Sequence, residues 1–363
     1  MTRNRYPIVS AAPFIHVGRS TSSLCFGAAA ALLPAFAWSS WIFGPRVLLV
    51  AMVSIAAALL SEGGANLLAR RYTLGDGSAL LSALILAAAM PPGVALHIPA
   101  LSASFAILVV KWSFGGLGGN WMNPALAGIA FAQVNWHDEM LGGWVMPRIL
   151  SGVDGLSAST PLGYLADATG GARVSLPLEV LKQAGYPVSA FDGRATGFLN
   201  DHVFGPLGAE LPGGYVDLAL GFRPGAIGEV AGILLLFASV ILISRKMIRW
   251  EAPFSALLAF GFLARLFGGA GGDFMSGDAL FALFSGGFIL TAVFALADPV
   301  TTPVSRPALA LFGAGAGALA FAFRRWGALP DGSAYAVLIM NALVPLLDKA
   351  FPPSGRARKR RDA

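Results

Sequence analysis

The sequence predicts an all-α polytopic membrane protein, and three observations predict it. Hydrophobic residues make up 56% of the 363 positions and charged residues only 12%, with Gly (45) and Ala prominent among the small ones. That balance belongs to chains buried in lipid rather than to soluble domains. Ten apolar stretches follow one another, separated by polar or Gly/Pro-rich punctuation, and basic clusters recur beside them.

A hydrocarbon layer of roughly 30 Å needs about 20 mostly apolar residues in helical form. The first five spans are read at Ser22 to Phe43, Arg46 to Ala69, Ser78 to Met90, Ile98 to Trp112 and Asn123 to Val134. The second five are read at Ile227 to Ser244, Pro253 to Phe267, Ala279 to Ala297, Pro307 to Phe323 and Ala334 to Phe351. Two of the ten are short. The first stretch lacks a small-residue cleavage site and runs straight into a second helix, so it reads as a span and not a removable signal.

Basic residues that flank spans stay on the cytoplasmic side. Arg3, Arg5 and Arg19 precede span one, Arg70 and Arg71 follow span two, Arg245, Lys246 and Arg249 follow span six, and Arg356 to Arg361 follow span ten. Ten spans place all four clusters, and both termini, on the cytoplasmic side of the membrane. The loop from His137 to Arg223 then lies outside, with nine acids against five bases; its −4 leaves +10 on the rest of a chain whose total is +6. Arg324 and Arg325, after span nine, break the pattern. The expected organisation is residues 1–21 cytoplasmic, 22–136 a first five-helix repeat, 137–225 an extracytoplasmic loop, 226–351 a second five-helix repeat and 352–363 a basic tail. Topology accounts for the excess base, and no nucleic-acid module accompanies it.

Five spans on each side of the loop put the halves in opposite orientations, the inverted-repeat logic of transporters whose interrupted helices meet near the midplane. Met90-Pro91-Pro92-Gly93 interrupts the first half, and Asp298-Pro299-Val300-Thr301-Thr302-Pro303 the second. Non-helical backbone at that depth survives only when buried in protein or lining a cavity.

Cys25 is the only cysteine, so the chain alone forms no disulfide and holds no four-thiolate iron–sulfur cluster. His16, His97, His137 and His202 show no paired helical spacing, which argues against bis-histidine haem or zinc. A redox cofactor here is therefore organic.

Four groups of residues can carry chemistry. The polar run Asp154-Gly155-Leu156-Ser157-Ala158-Ser159-Thr160-Pro161-Leu162 offers hydroxyl acceptors beside an Asx turn, with Asp154 and Ser157 ordering the segment. On its residues alone it is an ordinary Ser/Thr-rich loop. The run Phe114-Gly115-Gly116-Leu117-Gly118-Gly119-Asn120-Trp121-Met122-Asn123-Pro124-Ala125 fits neither the dinucleotide fingerprint nor the P-loop. Close helix packing explains its glycines, but Asn120 and Asn123, at a helix start in hydrocarbon, need partners. Asp298 and Thr301 stand in the second interruption. Among the acids in or beside apolar helices, Glu62 and Glu229 are ion-pathway candidates; Glu62 equally suits pairing with a buried donor, and Glu229 a helix N-terminus. Asp348 reads as interfacial, and Lys111 as a side chain snorkelling to the membrane surface.

These segments in this order resemble the D subunit of the Rnf electron-transport complex and its relative, the B subunit of the sodium-pumping NADH:quinone reductase. The resemblance extends through the Glu62 helix, Pro224 to Glu229 and Gly332 to Asp348, and the short leader before span one favours the Rnf relative. It implies FMN joined through its phosphate to Thr160 by a dedicated flavin transferase, at a motif that reads approximately Asp-x-x-Ser-Gly-Ala-Thr. Here Ala158 and Ser159 replace the Gly and Ala, leaving Thr160 as acceptor and Ser159 as a poorer one. It also implies a non-covalent riboflavin near Asn120, Asn123, Asp298 and Thr301. The chain would be one member of an ion-translocating oxidoreductase complex, relaying electrons between ferredoxin and NAD-linked partners coupled to Na+ or H+ transport. Its partners would be other membrane, flavin and iron–sulfur subunits, and membrane lipid. It would sit in the inner membrane of a bacterial cell and hold neither a complete active site nor a metal. The rival readings are a component like the B subunit of the quinone reductase, a small-solute channel of urea-transporter-like architecture, or a structural anchor without flavin.

Overall fold

The computed structural model describes residues 20–151, 157–169, 176–183, 185–208, 210–269, 274–327 and 331–352. Among these the structure is helical throughout; the one β feature is an isolated antiparallel bridge between Val145 and Ser157. A first block holds α1 (Thr21–Phe43), α2 (Arg46–Ala69), α3 (Ser78–Ala88), α4 (His97–Phe105) continued by a π-helical segment Ala106–Trp112, and α5 (Pro124–Asn135). A long connection carries only short helices: α6 (His137–Gly142), α7 (Arg148–Ser151), α8 (Pro161–Thr169), α9 (Pro177–Gln183), α10 (Ala190–Leu199) and α11 (Tyr215–Leu220). A second block holds α12 (Gly232–Ser244), α13 (Glu251–Phe267), α14 (Ala279–Phe284), α15 (Phe288–Leu290) continued by π-helical Thr291–Ala295, α16 (Arg306–Trp326) and α17 (Ser333–Ala350).

Four helices, α1, α2, α16 and α17, are long and apolar enough to cross a membrane. At 1.5 Å rise per residue, the 18 residues of α17 cover about 27 Å and the 24 of α2 about 36 Å. The chain is thus a membrane protein, and α3, the segment His97–Trp112 and the segment Glu229–Ser244 add shorter apolar helices.

Local chemistry sets the starts. Asn123 caps α5 by accepting from Leu126 N at 3.2 Å, with Pro124 in the first turn where its missing N–H costs nothing. Ser20 and Ser305 cap α1 and α16 in the same way. The stops are equally specific. α3 ends where Pro91 and Pro92 forbid continuation. Its stranded carbonyls are satisfied from the second block: Gly228 N donates to Ala88 O at 2.6 Å and Ile227 N to Met90 O at 3.0 Å.

The expected continuous span Ala279 to Ala297 is instead broken. α14 ends before Ser285, Gly286 turns the chain at φ 94°, and helix resumes at Phe288. Only glycine takes that φ without strain.

α13 and α16 make the closest helix pair. A Cβ on Gly313 or Gly317 would collide with the carbonyls of Ala252 or Ala256, so the two backbones touch through glycine. Phe260 of α13 stacks on Phe288 with centroids 4.2 Å apart, at the centre of one continuous apolar core.

Arg324, the exception to the charge pattern, is no free cation. It donates to Ala282 O and to Asp331 Oδ1 (3.3 Å), and its guanidinium lies 4.8 Å from the Phe260 ring centroid. Asp331 in turn accepts from Gly287 N at 2.5 Å and Ser333 N at 3.1 Å. Arg324 is spent on pinning the break in the α14–α15 region, and Arg325 reaches Gly269 O.

Candidate functional site

Thr160 and Glu229 border one cavity, and Asn120, Asn123 and Asp298 another. The first lies beside the long loop, measures about 90 Å³, and is walled by Thr160, Gln133, His137, Trp144, Glu229, Thr291 and Asp331 among others. Thr160 is buried to 9% exposure. Its segment is held by a short ladder: Gly93 N donates to Gly143 O (2.9 Å), Ala158 N to Trp144 O (3.3 Å), and Val145 bridges Ser157. Thr160 then caps α8, its Oγ1 accepting from Gly163 N at 3.1 Å. Thr160 borders this cavity together with residues at the ends of apolar helices, Ala89 and Ser333 among them, because the ladder draws it onto the break after α3. Ser157 is exposed. Asp154 lies outside the described residues.

Glu229 borders the same cavity, with Arg223 behind it. Arg223 Nη1 donates to Oε1 at 2.6 Å, Gly286 N to Oε1 at 2.7 Å, and Ala226 N to Oε2 at 3.1 Å. Arg223 is 2% exposed and also donates to Phe284 O. The pair ties the loop exit to the break before α15. Sequence reading missed Arg223, although a cation six residues before an acid at a Pro-Gly turn signals it. Gln133 Oε1, buried in this wall, has no partner.

The second cavity, about 80 Å³, lies at the opposite ends of the helices, near the starts of α1 and α3. Asn120, Asn123 and Asp298 line it. Asn123 Nδ2 donates to Ala295 O (3.3 Å) and Asp298 Oδ2 (3.4 Å), and Thr301 Oγ1 donates to Asp298 Oδ2 (3.4 Å). Asn341, which sequence reading did not single out, accepts from Asn123 N (3.2 Å) and donates to Thr301 O (2.9 Å). The start of α5, the end of the Thr291–Ala295 segment and α17 are thereby joined at one polar knot. Asn120 Nδ2 reaches Met122 O, while its buried Oδ1 has no partner.

Lys111 and Ser78 also line this second cavity. The expectation that Lys111 snorkels to the surface is overturned. It is 1% exposed, and its Nζ donates to Glu62 Oε1 and Ser78 Oγ, each at 2.6 Å. A partner 49 residues away outweighs the pull of water, since an ammonium this buried needs a carboxylate. Glu62 is thus paired with a buried donor. Its Oε1 also receives Thr73 Oγ1 at 2.5 Å, and its Oε2 is without a partner.

Chemically, each cavity offers apolar walls and a few fixed polar atoms. Among the described residues no cluster of three or more His, Cys, Asp or Glu could hold a metal.

Known proteins resemble this chain along nearly its whole length. The model described as the NQR2, RnfD, RnfE family matches residues 8–355. The D subunit of the proton-translocating ferredoxin:NAD(+) oxidoreductase complex of Clostridium ljungdahlii is 34% identical, over 95% of this chain and 94% of its own length. The D subunit of the ion-translocating oxidoreductase complex of Stutzerimonas stutzeri is 34% identical over 91% and 90%. The D subunit of the Na(+)-translocating ferredoxin:NAD(+) oxidoreductase complex of Acetobacterium woodii is 29% identical over 94% and 92%. By the family match over nearly its whole length and by these full-length similarities, the chain belongs to the NQR2, RnfD, RnfE family.

Proposed function

We propose that this chain is the membrane-embedded D subunit of an ion-translocating ferredoxin:NAD+ oxidoreductase complex, carrying FMN as a phosphoester on Thr160 and a second, non-covalent flavin in the cavity at Asn120, Asn123, Asp298 and Thr301. The observation that supports it most is the position of Thr160. Its hydroxyl stands at the N-terminus of a nine-residue helix and at the mouth of a cavity. Helix N-termini present free N–H groups and a positive dipole end, so a phosphate esterified there is electrostatically favoured. In attachment, an Oγ1–P bond replaces the O–H of Thr160, the proton leaves to solvent, and phosphorus sheds the leaving group of an activated flavin nucleotide.

The unpaired buried atoms fit the flavin reading. Gln133 Oε1 in the loop-side cavity and Asn120 Oδ1 beside the far one are acceptors awaiting donors, and a flavin ring edge supplies N–H donors and carbonyl acceptors. When bound, a flavin supplies one- and two-electron transfer that no side chain here provides. The chain's own residues seat and orient it: Asn123 and Asp298 are fixed by Asn341 and Thr301 before any ligand arrives. Other members of the complex bring the nicotinamide site and the iron–sulfur ligands, a flavin transferase serves maturation, and Glu62 and Glu229 remain the ion-pathway candidates.

We also read ten spans in two inverted halves. The two cavities support this piece by piece. The loop-side one takes the end of α3 at Ala89, the approach to α12 at Glu229 and the start of α17 at Ser333. The far one takes the segment after α15 at Asp298, the start of α1 at Cys25 and the start of α5 at Asn123. On this reading, corresponding elements of the two halves exchange places between the cavities.

The test is in-gel flavin fluorescence of the denatured chain co-expressed with a flavin transferase, followed by mass analysis of the Thr160 peptide. A fluorescent band with an FMN-sized addition on Thr160, lost in Thr160→Ala with the bundle still folded, supports the assignment. A dark band, or covalent flavin retained in Thr160→Ala, defeats it.

A further inference from the structure

The Lys111–Glu62 pair is a buried charge pair with an orientation. Lys111 and Ser78 line the far cavity, whereas Glu62 and Asp76 do not: the cation lies at the wall and the anions behind it. Glu62 holds Lys111 at 2.6 Å with both side chains at most 2% exposed, and Asp76 stands 3.9 Å from the same Nζ. Ser78 Oγ donates onward to Asp76 Oδ1 at 2.5 Å, so one hydroxyl links the ammonium to the second carboxylate. Thr73 sits between Glu62 and Asn66; turning the Asn66 amide over lets it donate to Thr73 and leaves the hydroxyl wholly for Glu62. Every element of this arrangement fixes the position of the Lys111 charge.

A buried ion pair is weak evidence for stability, because desolvation offsets its Coulomb attraction. Its field, however, is large where the dielectric is low. Lys111 and Ser78, whose hydroxyl its Nζ reaches at 2.6 Å, border the same volume as Asn120, Asn123 and Asp298. We infer that Lys111, aimed by Glu62, is a positioning charge that sets the reduction potential of the group held in the far cavity by favouring its more negative, reduced form. This rests on the reading that an organic redox group occupies that cavity. Lys111 is not placed on the reacting atoms; it acts through the field it projects, and Glu62 acts through Lys111.

The two partners then have opposite signatures. Glu62→Gln leaves Lys111 charged, since Asp76 and Ser78 remain, and removes the opposing anion. Lys111→Met removes the cation and leaves at most an anion. Lys111→Arg keeps the charge.

The experiment uses the full chain expressed without flavin transferase, purified in detergent and loaded with riboflavin, with bound flavin followed by absorbance through a redox titration. The expected result is a raised midpoint in Glu62→Gln, a lowered one in Lys111→Met, and Lys111→Arg close to the parent. A tenfold change in relative affinity for reduced over oxidised flavin reads as about 59 mV for one electron. Shifts of the same sign, or none, with flavin still bound overturn the inference. If Lys111→Met does not fold, Glu62→Gln and the double variant Glu62→Gln/Lys111→Met decide, the double being required to titrate below Glu62→Gln. A parent chain that binds no riboflavin defeats the cavity reading itself, and the inference with it.

Discussion

Arg223 and Glu229, six residues apart, form a 2.6 Å ion pair that is almost wholly buried and clamps the exit of the long loop against the break before α15. Removing one partner strands the other. Glu229→Leu is expected to cost roughly 3–5 kcal/mol, the magnitude for an uncompensated buried charge, and to lower the thermal midpoint and the yield of folded chain. The Arg223→Met/Glu229→Leu double variant is expected to recover most of that loss. Thermal unfolding in detergent across the four-member cycle checks it; additive single losses would mean that the two do not act as a pair.

Asp331 gathers Arg324, Gly287 N and Ser333 N on one carboxylate. Asp331→Ala is expected to lower the thermal midpoint by an amount corresponding to about 2–3 kcal/mol, because backbone donors at a helix break lose a charged acceptor. Glu substituted at the same position is expected to restore little, since the longer arm moves the acceptor off both N–H groups.

The α13–α16 contact depends on Gly317, where any Cβ meets Ala256 O and Phe260 N. Gly317→Val is expected to separate the helices and destabilise by about 1–3 kcal/mol through overpacking. The same substitution at Gly63, whose Cβ position is open, is expected to be milder. Comparing yields and thermal midpoints of the two variants tests the difference.

The long loop has its own titration. Burial, reinforced by Asp192, holds the Asp217 carboxyl above the ordinary range, and hydrogen bonds from Ser189 offset part of it. The folded loop therefore binds that proton more tightly than the unfolded loop. Its contribution to stability is full below the ordinary carboxylate range, near pH ~4, and is lost as pH rises through the raised folded value. Exchange protection factors around Asp217, with intrinsic rates divided out, are expected to fall as pH climbs from about 4, and Asp217→Asn is expected to flatten that slope.

The four long apolar helices and the interruptions at Pro91-Pro92 and Asp298-Pro299 were legible because they depend on composition and on proline, which act locally, whereas the break at Gly286 inside the expected Ala279 to Ala297 span was not. The polar character of Asn123 and Asp298 was legible too, although not their meeting across 175 residues of sequence. Lys111 misled because its position near a helix end points to the surface, whereas Glu62, two spans earlier, holds it inside. The burial of Thr160 was not legible either: a hydrophilic segment carries no sign of the backbone ladder that joins Ala158 to Trp144 and Gly143 to Gly93. Arg324 defied the charge rule until Asp331 and the Ala282 carbonyl accounted for it. In each case the missing information was a non-local partner.

The ladder from Gly93 through Gly143 and Trp144 to Ala158 gives Thr160 a fixed base on the membrane-embedded part of the chain. A group attached to its hydroxyl searches only the small volume reached by its own linker. Its effective concentration at the adjoining cavity is then on the order of millimolar or higher, as for short tethers in general. With FMN attached as proposed, even an intrinsically weak fit between that cavity and the ring would suffice to keep it docked, and the attachment would substitute for the extensive binding surface that a freely exchanging ligand demands.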